Sequence, residues 1–555
     1  LIQNHGFAHE ARYLELLRRS GRQVTELKDL GCLRESVQAT EEAMRRGDDV
    51  IYKAALMSAP FSGYADFLLR VPGASLLGDW HYEVADTKLA RSPKAKFLVQ
   101  LCFYADLIAR IQGVPPAYVH LCFGDGTERS YRTADFRAYF ENLRERYLEF
   151  IDRCRAGVGS ETYPDPVSHC GFCGWREVCG QRLLEDDHLS QVAGISKGQI
   201  QKLNRAGVAT LEALGRLDSR QTIPKLHSET LARLRQQARL QLEKRIDKKN
   251  RLELLPVEPA RGFSRLPQPD PGDLFFDMEG DPYEDGGLEY LFGVGEVVAG
   301  TFCFHDFWAH DRKGERLAFE AFVDFVVDHL GRHPGAHIYH YAAYEETALK
   351  RLMSMHGTRE AEVDALLRQG KLVDLYKVVR EGIRVSEPSY SIKNLETFYA
   401  DKRSGEVKNA GASIVWYEKW RETREQKLLD DIRSYNEDDC RSTWQLLEWL
   451  LSLRPAEAQW ASAGAPATLE EARKPWETRL EGYRAALLGA LPEDPSTWNA
   501  EGRMREVAFQ LLDFHRRENK PAWWALFARA EASEEALLED MECLAGLTLD
   551  PERPP

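Results

Sequence analysis

The stretch HYEVADTKL, residues 81–89, places Asp86 and Lys88 two residues apart on what reads as a strand, so both side chains leave the same face. A carboxylate beside an ammonium at a strand end can bind Mg²⁺ through the acid. The lysine then positions a water or stabilises charge developing on a phosphate. One acid is a weak magnesium site, and GYADFLLRV supplies a second, Asp66, on the preceding strand. Gln100 and Tyr104, at i and i+4 on the following helix, share a face that can turn toward the same place, and His9 in HGFAHEA is a further candidate ligand. A bare D-x-K is more often a surface ion pair; the constellation is what argues for chemistry.

A second constellation lies far down the chain. LFFDMEGDPY puts Asp277 and Glu279 on one face of an apolar strand, a chelating pair for a hard cation. YNEDDCRSTWQLLEWLL puts Tyr435 and Asp439 at i and i+4 on a helix. Together they suggest two-metal phosphodiester hydrolysis, with carboxylates clamping two Mg²⁺ and the tyrosine orienting the attacking water. Exposed acids are the blander reading of each motif taken alone.

HCGFCGWREVCGQR carries Cys170, Cys173 and Cys179 at C-x2-C-x5-C spacing. Three thiolates so close are soft ligands that favour an iron–sulfur cluster or zinc over Mg²⁺, but a fourth ligand is missing. Cys32 or Cys154 could supply it to a cluster, His169 or His188 to zinc, and three reduced, unliganded cysteines are the alternative. Ten cysteines in 555 residues without an export signal argue against a disulfide framework.

The elements that must position these groups fall into an α/β multidomain chain. Residues 1–183 read as helix, three strands, helix, strand, helix and a Cys-rich loop; 187–255 as helices without strands; 268–455 as α/β again, with strands near 274–280, 289–297, 302–310 and 337–341; and 456–555 as a helical, Trp-rich tail. The Pro- and Gly-rich stretch 257–272 reads as a linker. The formal charge is -14, yet residues 190–251 hold fourteen Lys and Arg against five Asp and Glu. Within them VAGISKGQIQKLNRAGVATLEALGRL resembles a helix-hairpin-helix element, and Lys197, Lys202 and Arg205 are the candidate phosphate contacts; a solvated helical linker is an equal alternative. No apolar run could span a membrane, no signal peptide opens the chain and no GxxxxGK occurs, so a cytoplasmic protein without a P-loop is expected. The chain begins with Leu in what reads as mid-helix, which suggests sequence missing upstream.

The motifs around His9, Asp66, Asp86, Lys88, Gln100 and Tyr104 follow the order and spacing of the RecB branch of PD-(D/E)XK nucleases, and the region resembles the CRISPR-associated RecB-like exonucleases. The resemblance implies a PD-(D/E)XK restriction-endonuclease-like domain with His9, Asp66 and Asp86 on metal, Lys88 catalytic, and Gln100 and Tyr104 as the Q-x-x-x-Y motif. Asp86 stands where many members have Glu. Relatives with an iron–sulfur cluster share the C-x2-C-x5-C spacing, with a fourth cysteine upstream, implying a [4Fe–4S] cluster in a complete protein. Residues 268–455 resemble the ribonuclease-H-like DEDDy exonucleases, nearest the YprB-like branch. Their middle motif carries Asp where HIYHYAAYEETALKRL offers Glu345. Asp374 in KLVDLYKVV is read as structural support, and SYSIKNLETFY as a packing and substrate-groove element.

The whole order resembles the RecB-like nuclease family, whose larger members continue into a superfamily 1 helicase, and residues 511–541 resemble the connector before it. That implies Mg²⁺ or Mn²⁺ at both sites and a DNA substrate, single-stranded or with free ends. It further implies 3′–5′ exonuclease action in repair, recombination or defence. An RNA-processing exonuclease and a non-catalytic nucleic-acid-binding platform are the alternatives.

Overall fold

The computed structural model describes residues 2–27, 31–90, 93–157, 162–282, 284, 286–400, 410–461, 475–492 and 497–512, with isolated positions beyond 512. The first unit starts with α1 (Ile2–Arg19), β1 (Val24–Glu26) and α2 (Leu33–Arg46), which ends on Gly47 in the left-handed conformation (φ 79°). Next come β2 (Val50–Ser58), β3 (Phe61–Ser75), β4 (Gly78–Lys88), α3 (Ala95–Gln112), β5 (Tyr118–Phe123), β6 (Glu128–Arg132) and α4 (Thr133–Arg155). The six strands lie in chain order in one sheet. β2, β3 and β4 form an antiparallel meander; β4 and β5 are parallel and so need a crossover, which α3 provides.

Both faces of this sheet are covered. Met44, Ile51, Leu68, Val84, Leu101 and Ile108 form the core under α2 and α3, while Tyr13, Leu14 and Leu17 of α1 pack on Phe67 and Ala85 of the other face. The sequence pattern missed β1, α2 and β6; the two extra strands lie at the sheet's edges, and β6, ERSYR, has no apolar alternation to reveal it.

A short turn at Ser168–Phe172 and α5 (Arg176–Glu185) carry the cysteines. The helical segment follows as α6 (Lys197–Arg205), α7 (Leu211–Gly215) and α8 (Ser228–Asp247) around a core of Leu203, Leu211, Leu214, Leu231 and Leu234. Ser196 and Gln199 close a reciprocal capping box at the start of α6, and Thr210 caps α7 by accepting from Ala213 N at 3.0 Å. The expectation of no strand here fails at one place. β7 (Leu252–Leu254) pairs antiparallel with β13 (Ile383–Val385), and a strand of only three residues, Leu-Glu-Leu, after a charged helix is too short to give a periodic signal. α8 is also tied to the neighbouring unit: Gln237 donates to Val385 O at 2.9 Å and accepts from Tyr390 OH at 2.7 Å.

Residues 257–272 are not a free linker. Phe263 and Leu266 are buried in the next core, and Arg265 pairs with Glu381 at 2.6 Å. The third unit holds β8 (Leu274–Asp281), β9 (Leu288–Val298), β10 (Thr301–Trp308), α9 (Arg312–Arg332), β11 (Ile338–His340), α10 (Tyr344–His356), α11 (Glu360–Arg368), β12 (Leu372–Asp374), α12 (Leu375–Gly382), β13, α13 (Ile392–Leu395), α14 (Ala410–Thr423) and α15 (Gln426–Leu453). Its five-stranded sheet has the order β10-β9-β8-β11-β12, antiparallel through β10, β9 and β8 and parallel from β8 to β12. Leu274, Phe276 and Met278 of central β8 meet α9 and α10 on one face; on the other, Phe275 joins a core shared with α12 and α15. In the tail, α16 (Pro475–Leu488) and α17 (Ala500–Leu512) are helical as expected, and most of the segment 511–541 lies outside the described residues. Among the described residues no helix is long and apolar enough to cross a membrane.

Candidate active sites

In the first unit the register that sets Phe67 opposite Ala85 carries on to make Asp66 and Asp86 neighbours across β3 and β4. Burial, followed by the hydrogen bond and charge of Asp66, pushes Asp86 up to about 7, against the pull of the Lys88 ammonium. Burial would raise Asp66 too, but the proton on Asp86, the Lys53 ammonium and the Thr87 N–H outweigh it and hold Asp66 below the usual carboxylate range. Lys88 Nζ lies 2.5 Å from Asp86 Oδ2 and donates to Gln100 Oε1 at 3.0 Å. Tyr104, one turn on from Gln100, hydrogen-bonds it, and burial raises the tyrosine hydroxyl. Asp66, Asp86, Lys88, Gln100 and Tyr104 therefore come together, because strand spacing and helix spacing each send their pair to the face between β4 and α3.

His9 is buried in α1 with Nε2 3.1 Å from Cys122 O, and it is not drawn into a three-ligand group with the two aspartates. Its neighbour Glu10 is buried and pairs at 2.5 Å with Lys53, which also donates to Asp66 Oδ1 at 3.0 Å. Neither Glu10 nor Lys53 was anticipated: no motif spacing connects them to Asp66, and the contact depends on how α1 lies on the sheet.

In the third unit β8 brings Asp277 and Glu279 under α15, whose Asp439 completes a group. One carboxylate oxygen from each of Asp277, Glu279 and Asp439 lies within 4.8 Å of the others, the one such group of three potential ligands among the described residues. Glu279 is buried, and burial together with the charge of Asp439 pushes it up to about 8, although Ser413 hydrogen-bonds it and Lys393 is near. Three carboxylates crowded in this way are the donor set that a hard divalent ion fits. Tyr435, on the same face of α15, donates to Asp439 and accepts from Lys393 Nζ at 2.8 Å. Burial and the three acid charges raise its hydroxyl far above its ordinary value, so it remains a neutral donor.

Two further residues shape this site. Asn436 Nδ2 donates to Asp277 Oδ2 at 2.7 Å, and a Cβ at Gly293 would stand 1.7 Å from Asn436 Oδ1, so only glycine fits beneath it. Ser413 on α14 also hydrogen-bonds Tyr290 OH at 2.7 Å, linking the helix to β9. The glycine at every second position of FGVG was a readable sign of close approach; Ser413 left none.

Glu345 stands apart. It is buried at the start of α10 with Oε2 3.4 Å from His340 Nδ1, and it lies outside the three-acid group. Asp374 accepts from Ala342 N and Tyr376 N, both at 2.9 Å, which anchors the turn between β11 and α10 and starts α12. Cys170, Cys173 and Cys179 are free and partly exposed, and their sulfurs do not form a three-ligand group. As placed they offer no three-ligand site for a single ion. Lys197 pairs with Asp165, while Lys202 is half-buried and Arg205 exposed. Four of the cations of 190–251 are paired: Arg239 with Glu253, Lys244 with Glu387, Arg245 with Asp187 and Arg251 with Glu243.

Comparison with protein families gives two matches. The PD-(D/E)XK nuclease superfamily model covers residues 8–180, and the RNase_H superfamily model covers residues 274–451. The chain thus carries one domain of each superfamily, in the order the motifs predict. A search among curated proteins finds no match. Both domains support a nuclease, an enzyme that hydrolyses phosphodiester bonds of a nucleic acid.

Proposed function

We propose that a chain joining a PD-(D/E)XK nuclease domain to a ribonuclease-H-like domain is a metal-dependent DNA nuclease with two active sites, the second a 3′–5′ exonuclease of the DEDDy kind. The observation that carries this reading is the group of Asp277, Glu279 and Asp439 within 4.8 Å, with the neutral Tyr435 hydroxyl beside it. Those three acids would hold Mg²⁺ or Mn²⁺ there, and Asp66 and Asp86 would hold it in the first domain. A bound divalent ion supplies charge for the developing phosphorane and lowers the pKa of a water. Tyr435 orients that water, Lys393 holds the tyrosine, and Lys88, steadied by Gln100, faces the phosphate in the first domain. His9 and Glu345, ligands by family resemblance, belong to no three-ligand group among the described residues.

Ten cysteines in a sequence that argues against a disulfide framework suit a reducing compartment, which favours a cytoplasmic role in repair, recombination or defence. The test is degradation of end-labelled single-stranded DNA and RNA with Mg²⁺ or Mn²⁺, by the unmodified chain, Asp86→Ala, Asp277→Ala and the double variant. Each single change should remove a distinct part of the product ladder, and the double variant should be inactive. Binding without cleavage by the unmodified chain would instead favour a nucleic-acid-binding platform.

A further inference from the structure

Lys53 occupies an unusual backbone position. Tyr52 lies opposite Phe67 and Ala54 opposite Ala65, so Lys53 lies opposite Asp66. Its φ is +61°, the left-handed region that L side chains rarely adopt, here in the middle of a strand. Such strain persists where the surroundings over-determine it, and it gathers at functional sites. The surroundings are Glu10 Oε1 at 2.5 Å and Asp66 Oδ1 at 3.0 Å, both held by the one ammonium.

Across the other flank, Lys88 Nζ stands 2.5 Å from Asp86 Oδ2. The order across the site is therefore lysine, aspartate, aspartate, lysine. Three carboxylates, Glu10, Asp66 and Asp86, face two ammonium groups, a net charge of minus one when all are ionised. One divalent ion turns that into plus one, which the single negative charge of a phosphodiester cancels. A second divalent ion would leave an excess of two positive charges in a largely buried place, where uncompensated charge is costly.

We infer that Lys53 is a positioning residue of the first site that takes the place of a second metal ion. It fixes Asp66 through Oδ1 and limits the site to one divalent cation. This rests on the reading of Asp66 and Asp86 as a metal-binding pair. Because a cation so close to a ligand oxygen repels the metal, its removal tightens metal binding even as it slows cleavage.

The test uses the full chain with the second site silenced by Asp277→Asn and Asp439→Asn, and counts bound Mn²⁺ by electron paramagnetic resonance. The parent should hold one ion, lost in Asp86→Asn. Lys53→Met should hold that ion roughly tenfold more tightly or admit a second, with slower cleavage at saturating substrate. Lys53→Arg should keep one ion and recover part of the rate. Melting curves will identify a variant that fails to fold, in which case Lys53→Gln replaces it. Two ions in the parent, or unchanged stoichiometry and affinity in Lys53→Met, overturns the inference and leaves the metal site standing. A parent that binds no Mn²⁺, or binds it regardless of Asp86, overturns the metal-site reading and this inference together.

Discussion

Asn436 reaches Asp277 through the space left by the missing side chain of Gly293: its amide donates to Asp277 Oδ2 at 2.7 Å, and a Cβ on the glycine would stand 1.7 Å from its oxygen. The carboxylate orientation in the second site thus depends on an apolar strand that contributes no ligand. Gly293→Ala should destabilise the domain by about 1–3 kcal/mol through overpacking. It should also weaken Mn²⁺ binding there by roughly tenfold or more, as loss of a ligand's hydrogen-bond partner does. Denaturant unfolding and calorimetric titration check the two effects separately.

Lys393 holds the Tyr435 hydroxyl at 2.8 Å with its ammonium 4.7 Å from the ring centroid. Lys393→Ala should slow exonucleolytic degradation about 10- to 100-fold at saturating substrate, with a small change in melting temperature. A loss of stability that accounts for the whole loss of rate would make the lysine a packing residue only.

Glu345 lies outside the three-acid group. Glu345→Gln should therefore change Mn²⁺ affinity at the second site by less than about tenfold, whereas Asp439→Asn should cost far more than that. Comparable losses in titrations of the two variants would bring Glu345 back as a ligand.

The raised acids set a pH dependence. Asp86 at about 7 and Glu279 at about 8 lie above their ordinary values near 4, so the folded, metal-free protein holds protons that the unfolded chain gives up. Their stabilising contribution is present in acid and is lost as pH rises through 7 and 8. In EDTA the melting temperature should fall between pH 6 and pH 9, and Asp86→Asn with Glu279→Gln should flatten that slope. Mg²⁺ should reverse it, because metal binding favours the ionised acids. Mn²⁺ affinity should accordingly rise with pH up to about 8. A melting temperature that climbs over this range in EDTA would contradict the assignment.

Phe276 is 1% exposed and stacks on Phe322 with centroids 4.4 Å apart. Phe276→Ala should cost about 3–5 kcal/mol by leaving a cavity between β8 and α9, measured by denaturant unfolding.

The site residues that could be read from sequence were those whose partners lie two residues away in a strand or four in a helix, because those spacings dictate a shared face. Asp277 with Glu279 and Tyr435 with Asp439 are of this kind. Lys53, Glu10 and Ser413 were not readable, since their contacts follow from strand register, a left-handed backbone and the docking of helices. For residues 190–251, counting cations cannot reveal that Arg239, Lys244, Arg245 and Arg251 have carboxylate partners. Proline and glycine content likewise suggested a free linker at 257–272, while Phe263 and Leu266 made it part of a core.

The contacts of Gln237 with Val385 and Tyr390, and the pairing of β7 with β13, bear on modularity. A fragment cut at residue 268 would sever that small sheet, uncover Val385 and Tyr390, and leave the Tyr390 hydroxyl and the Val385 carbonyl without their glutamine. The smallest inheritable unit of the second nuclease therefore reaches back through α8 to about residue 187. A protease or a recombination event that respected that unit would pass upstream of the helices and spare the proline-rich stretch, whatever its composition suggests.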